Sequence, residues 1–222
     1  MSHPPIVLAD ASAAYRGRTV LAGIDLTIRP GERVALLGRS GAGKSTLIGL
    51  LHAQAAGDIA LVPQAAALVR PLSVFHNVYM GRLDRRSTLH NLRTLIRPAR
   101  ADVEAVRGVL ASVDLAEQLW ARAGELSGGQ QQRVSLARAL HNGRPILLGD
   151  EPVSALDRRQ GAAVLARMAE RHETLILALH DVSLALDVAD RIVVLDAGRI
   201  VLDAASGGLD AAALARFYEP LP

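Results

Sequence analysis

Residues 36–47 read LLGRSGAGKSTL, with three glycines, a lysine and hydroxyl side chains between two apolar runs. Such a stretch is either a flexible surface loop or a cradle for phosphate. Gly38-Arg39-Ser40-Gly41-Ala42-Gly43-Lys44-Ser45 satisfies G-x-x-x-x-G-K-[ST], and each element of that pattern has a task. Glycines let the backbone turn its N–H groups inward around a β-phosphate. Lys44 adds a point charge at the β/γ position, and the Ser45 hydroxyl can ligate Mg²⁺. A helix that starts here aims its positive end at the anion. Lys44 is the only lysine in the chain, which otherwise carries its positive charge on arginine. A compact ammonium at this one place speaks for a geometric requirement.

Two further stretches carry the same kind of chemistry. Residues 146–151, ILLGDE, are an apolar run ending in two acids. Asp150 at a strand end can hold Mg²⁺ through water, opposite Ser45. Glu151, one residue on, can orient or deprotonate an attacking water. Taken alone, the pair reads equally well as a strand ending in a solvated acidic turn. Residues 126–130, LSGGQ, repeat the logic of the first loop. Ser127 is followed by Gly128 and Gly129, whose N–H groups are exposed at the start of a helix facing an anion. The bland reading is a helix cap with flexible glycines.

These residues need a scaffold, and the pattern around them supplies one. Residues 4–38 read as short strands with turns at Arg16-Gly17 and Pro30-Gly31. KSTLIGLLHAQ has helical spacing, with Leu47, Leu50 and Leu51 on one side. GDIALVPQ, residues 57–64, reads as a buried strand. From about 65 to 143 the pattern is helical. ADVEAVRGVLASV places Val103, Val106, Leu110 and Val113 at helical intervals, with Asp102 in the first turn. A second helix opens at Ser127 and closes at Asn142-Gly143. After Pro145 strand and helix alternate, ending in a hairpin around Ala197-Gly198. The expectation is an α/β core holding an inserted helical lobe.

Half of the 222 residues are hydrophobic, so a disordered chain is excluded. The net charge of +3 is too mild to argue for a nucleic-acid partner, and none is expected. The chain has no cysteine, which rules out disulfides and thiolate metal sites. MSHPPIVLAD lacks the basic start and long apolar core of a signal peptide. The longest apolar stretch, TLILALHDVSLALDVA, is broken by His180, Asp181 and Asp187. Any membrane role is therefore expected to come through a partner.

LSGGQ followed by QQR resembles the signature sequence of ATP-binding-cassette (ABC) ATPases. The resemblance covers nearly the whole chain. It implies a P-loop NTPase fold, with a RecA-like core at about 1–64 and 144–222 and a helical subdomain at about 65–143, the whole chain being one nucleotide-binding domain. It implies ATP and Mg²⁺ as ligands. Nucleotide contacts would come from Gly38, Arg39, Ser40, Gly41, Ala42, Gly43, Lys44, Ser45 and Thr46, and across a dimer seam from Ser127, Gly128, Gly129 and Gln130. Tyr15 stands where that family carries an aromatic that stacks on adenine; alone it would be a packed surface tyrosine. Gln64 matches the glutamine that reaches Mg²⁺ and the attacking water. Ser45, Gln64 and Asp150 are thus the implied metal ligands. Asp157, in SALD, matches the loop that crosses the seam, and can also cap the following helix. His180 matches the switch histidine at the γ-phosphate, and Glu151 the base.

The family implies a head-to-tail pair in which each ATP lies between the cradle of one copy and LSGGQ of the other. Hydrolysis removes the γ-phosphate bridge and lets the pair open. The further partners implied are membrane permease subunits and, indirectly, a periplasmic substrate-binding protein, with the chain peripheral at the cytoplasmic face of a bacterial inner membrane. Residues 67–92, with LSV…NV…GRL and then STL, resemble phosphonate-importer ATPases, as do DEPVSALD and LHDVSLALDVADRIVVLDAGRIVLD. The expected cargo is phosphonate or a related phosphorus oxyanion. Other cargoes (phosphate, an amino acid, an export substrate) are the alternatives. Soluble ABC proteins of repair or translation need a long coiled coil or a second cassette, and neither fits in this length. One departure stands out. The family places a small antiparallel β-subdomain between the cradle and the glutamine, but LIGLLHAQAAGDIA has no room for it, so that lobe is expected to be shortened. Gly149 stands where the family commonly has alanine.

Overall fold

The computed structural model describes residues 3–217. Strands β1 (Ile6–Tyr15) and β2 (Arg18–Ile28) form an antiparallel hairpin. Its turn, Arg16-Gly17, holds φ of 49° and 79°, the left-handed pair that a two-residue hairpin turn requires. After the Pro30-Gly31 turn come β3 (Arg33–Leu37), the glycine loop, α1 (Lys44–Gln54) and β4 (Ile59–Val62). A helical block follows: α2 (Val74–Tyr79), α3 (Thr88–Ile96), α4 (Arg100–Ala111) and α5 (Gly128–Asn142). Alternation then resumes with β5 (Ile146–Asp150), α6 (Arg158–Arg171), β6 (Thr174–Ala178), α7 (Val182–Val188), β7 (Arg191–Asp196), β8 (Arg199–Ala205) and α8 (Ala211–Ala215).

Six strands make one sheet in the order β4-β5-β6-β3-β7-β8, parallel except for β8 at its edge. The five parallel strands read as near-continuous apolar runs because both their faces are covered, whereas β8 at the edge alternates exposed and half-buried residues. Successive residues therefore enter opposite cores. Ala35 and Leu37 of β3 join a core shared with the helical block, along with Leu147, Leu175 and Val194. Val34 and Leu36 join a second core beneath the hairpin and α1, along with Leu148, Ile176 and Val193. The carboxyl ends of the parallel strands carry the glycine loop after β3 and the acids after β5, where open α/β sheets place their sites.

Most expected elements stand, with local differences. The strand expected over 57–64 is only Ile59–Val62, because the chain leaves α1 through a single turn of 3-10 helix, Ala56–Asp58. No strand intervenes, so the only antiparallel strand pairs among the described residues are the β1–β2 hairpin and β7–β8 at the edge of the main sheet. Ile48, rather than Leu50, is buried beside Leu47 and Leu51 on α1. On α4, Val106 and Leu110 are buried. Asp102 sits in the first turn as expected, but it is buried and held by His90 at 2.9 Å and Arg86 at 3.3 Å. Helix α5 begins at the Ser127 cap and stops at Gly143 in left-handed conformation. Arg85 and Arg171 donate to the carbonyls of Gly143 and Leu140 at that end, where the helix dipole favours cations.

Candidate functional site

The glycine loop is shaped by what surrounds it. Gly38 holds φ 136°, and a Cβ there would run into the Leu195 carbonyl of β7. Gly43 holds φ 107°, and a Cβ there would lie 2.6 Å from Leu21 Cδ2 of the hairpin. The loop is tied on its far side as well: Gly198 N–H donates to the Ala42 carbonyl at 3.3 Å, and Ala22 N–H to the Gly198 carbonyl at 3.0 Å. The hairpin, the β7–β8 turn and the loop thus brace one another. Helix α1 has no side-chain cap and no acid in its first turn. Its first N–H groups therefore remain available to an anion.

Lys44 opens α1 and is buried, at 6 % exposure. Its ammonium donates to the carbonyls of Gly38 at 2.6 Å and Arg39 at 3.1 Å. Burial lowers its pKa, and the nearby Glu151 and Asp150 carboxylates oppose that shift. Lys44, Ser45, Thr46, Gln64 and Glu151 line one cavity of about 210 Å³, together with Ser40, Gly41, Gly43 and Val20. Three separate strand ends, β3, β4 and β5, thereby deliver side chains to one space.

Asp150 ends β5 at 7 % exposure, and its Oδ1 is buried without a hydrogen-bond partner. Asp150 is not among the residues lining the cavity of Ser45 and Gln64, but its unpartnered oxygen, the Ser45 hydroxyl and the Gln64 amide are all hard oxygen donors of the kind that suits Mg²⁺. The residues therefore fit that ion. Glu151 adopts φ 53°, the left-handed region, although it is not glycine. Its N–H donates to the Ala178 carbonyl at 3.1 Å, and its carbonyl accepts from Ser154 N–H at 3.2 Å and Ser154 Oγ at 3.0 Å. Its carboxylate is hydrogen-bonded to His180 Nε2, two residues beyond β6. Behind this pair lies a second cavity of about 270 Å³ lined by Ser154, Asp157 and His180 among others. Asp157 also caps α6, accepting Gln160 N–H at 2.9 Å.

The remaining candidates stand apart. Ser127 caps α5 and forms a reciprocal box with Gln130: its Oγ accepts Gln130 N–H at 3.3 Å, and its N–H donates to Gln130 Oε1 at 2.9 Å. Ser127 and Gly128 are exposed, with Gly129 and Gln130 partly so. None of the four lines the cavity that holds Lys44. Tyr15, at the hairpin tip, is 66 % exposed, with the Arg16 guanidinium 5.3 Å from its ring centroid. It too lies outside the Lys44 cavity, whereas Val20 across the hairpin lines it. Sequence reasoning missed Val20, and it missed Leu195 and Gly198 as the loop's braces. No motif marks these three, because each meets the loop from an element distant in the sequence.

Residues 21–154 match the family described as ABC transporter. A phosphonates import ATP-binding protein of Thiobacillus denitrificans is 38 % identical, with 91 % of this chain and 88 % of that protein covered. A phosphonates import ATP-binding protein of Frankia casuarinae is 42 % identical over 84 % and 85 % of the two chains. An L-cystine transport system ATP-binding protein of Escherichia coli is 38 % identical over 88 % of each. The first of these alignments spans 229 positions, more than this whole chain supplies, so that relative carries residues with no counterpart here. Among solved structures, a dimeric ATP-binding cassette in a post-hydrolysis state with ADP and phosphate superposes with TM-score 0.75, at 25 % identity over 90 % of this chain and 98 % of that one. An ATP-bound bacterial Atm1-family ABC exporter gives TM-score 0.77 at 27 % identity, covering 98 % of this chain and 42 % of that one.

Proposed function

This chain belongs to the ABC transporter family of ATP-hydrolysing subunits, and from that premise we propose that it powers a bacterial importer of phosphonate or a related phosphorus oxyanion. The observation that carries the catalytic part is the single cavity shared by Lys44, Ser45, Gln64 and Glu151. Residues 38–46 hold the triphosphate, with backbone N–H groups and the start of α1 facing its oxygens. Lys44 exchanges its carbonyl partners for the β- and γ-phosphates. Ser45, Asp150 and Gln64 would hold Mg²⁺, which when bound neutralises charge on those phosphates. Glu151 takes the proton of the attacking water, and His180 fixes the carboxylate and meets the γ-phosphate.

The pairing of two copies rests on geometry within one copy. Ser127–Gln130 form an exposed helix start that does not reach the chain's own cradle. A second molecule placed head to tail brings that helix start to the other's nucleotide, where its N–H groups face the γ-phosphate. Asp157 lies beside the seam. Tyr15 offers a stacking face to the base.

The chain is peripheral to a membrane in this reading. Among the described residues no helix is long and apolar enough to cross one. The docking face for the permease is the helical block. There Leu89, Leu92, Leu95 and Ile96 of α3 are exposed, beside an apolar groove of about 280 Å³ lined by Leu72, Tyr79 and Leu83. Support for the cargo is the identity to two phosphonates import proteins; the L-cystine relative, as identical to this chain as one of those two, favours amino-acid uptake as the second reading.

The test is Glu151→Gln. The variant is expected to bind MgATP, to lose turnover, and to elute as an ATP-dependent dimer on size exclusion. Undiminished hydrolysis would remove Glu151 from the base role. Cargo is tested separately, by calorimetry of phosphonates and of cystine with the binding protein encoded alongside.

A further inference from the structure

Gln64 sits in a loop, residues 63–73, that has no regular secondary structure. Such a loop makes few regular backbone bonds of its own, and here side chains of the helical block bond several of its backbone groups. Gln132 of α5, 7 % exposed, donates Nε2–H to the Pro63 carbonyl at 3.2 Å. Arg138 of the same helix donates to the Ala67 carbonyl at 2.6 Å. Asn77 of α2, fully buried, accepts Val69 N–H at 2.8 Å and donates to the carbonyls of Val69 and Ser73. The first two anchors bracket Gln64.

The spacing suits a clamp. Residues 132 and 138 are separated by about 9 Å of helix rise. Residues 63 to 67 can reach about 13 Å when extended, so the loop lies along α5 with slack for the bend that carries Gln64. Burial draws the Arg138 guanidinium out of water and lowers its pKa. Its bond to the Ala67 carbonyl itself lies at an exposed edge of the loop. The same helix begins at the exposed Ser127 cap, five residues before Gln132.

We propose that Gln132 and Arg138 are positioning residues for Gln64. They fix its loop to α5, so that the place of Gln64 in the cradle follows the place of the helix start that meets the partner's nucleotide. This rests on the role in hydrolysis given above to Gln64, and the experiment separates the two.

The experiment is a double-mutant cycle on ATP hydrolysis by the full chain. Gln132→Met, Arg138→Met and Arg138→Lys are each measured alone and with Gln64→Ala, alongside thermal unfolding. The Met variants are expected to lower kcat about tenfold, the scale of a small misplacement at a reacting centre, with KM for ATP changed less than about twofold. Arg138→Lys keeps a donor and is expected to recover most of kcat. In the Gln64→Ala background the Met substitutions are expected to add nothing. If Gln132→Met does not fold, the Arg138 pair carries the cycle alone. Losses that add in full to that of Gln64→Ala, or that fall on KM instead, overturn the positioning role and leave that of Gln64 standing. Gln64→Ala with undiminished kcat overturns both.

Discussion

Glu151 is asked to hold its carboxylate against the cradle from a backbone conformation that its side chain disfavours, and that cost can be measured. At φ 53° an L-residue brings Cβ close to the neighbouring carbonyl, which costs roughly 1–2 kcal/mol. The bonds from Glu151 N–H to Ala178 and from Ser154 to the Glu151 carbonyl hold the chain there regardless. Glu151→Gly removes the conflict, but it loosens the unfolded chain by roughly 0.5–1 kcal/mol. The hydrogen bond to His180 is also lost, yet His180 is 47 % exposed, so that term is small. Glu151→Gln keeps Cβ and the shape while removing the charge, and is the proper reference. The glycine variant is expected to be about 0.5–1 kcal/mol more stable than the glutamine variant. That corresponds to about 1–4 °C in Tm for a chain of this size. Both variants are expected to have lost hydrolysis. Urea and thermal unfolding of the two, side by side, provide the assay. A glycine variant no more stable than the glutamine variant would refute the claim that the catalytic position stores backbone strain.

Gly43→Ala places a methyl group 2.6 Å from Leu21 Cδ2 at φ 107°; the expected outcome is a loss of about 1–3 kcal/mol in urea unfolding together with weakened binding of a fluorescent ATP analogue, and unchanged values in both would show that the hairpin does not brace the loop. His141, in the last turn of α5, is 4 % exposed, and burial together with Arg82, Arg171 and Arg85 lowers its pKa to about 4 against the pull of Asp102. The unfolded chain takes up that proton near pH 6.5, the folded chain only near pH 4, so stability is retained above the unfolded value and falls as pH drops across that window. The fall is about 1.4 kcal/mol per pH unit, reaching roughly 3 kcal/mol. His141→Gln is expected to flatten the dependence of unfolding free energy on pH between 6.5 and 4, and parallel slopes for the two proteins would contradict the assignment.

What the sequence made legible was chemistry that the backbone performs locally. The glycines at 38, 41 and 43 stand at positive φ, so their type and spacing state a conformation without reference to the rest of the chain. Ser127 and Gln130 form a local capping box that can be read from their three-residue separation. Strands β5, β6 and β7 were legible because sheets covered on both faces leave continuous apolar runs. What stayed hidden depends on distant partners. The burial of Asp102 follows from His90 on another helix, and periodicity gives no sign of it. Helical spacing likewise gives no sign that Leu89, Leu92, Leu95 and Ile96 are exposed. Tyr15 was placed at the base by resemblance alone, and the hairpin carries it outside the cavity lined by Lys44.

The most direct test of the shared site is complementation between two disabled chains. Lys44→Ala ruins the cradle and leaves the α5 start intact; Ser127→Arg does the opposite. Each alone is expected to be inactive with MgATP. Mixed in equal amounts, they are expected to regain hydrolysis, because a mixed pair contains one intact cradle facing one intact helix start. A mixture as inactive as its two components would contradict the claim that each nucleotide is held between neighbours.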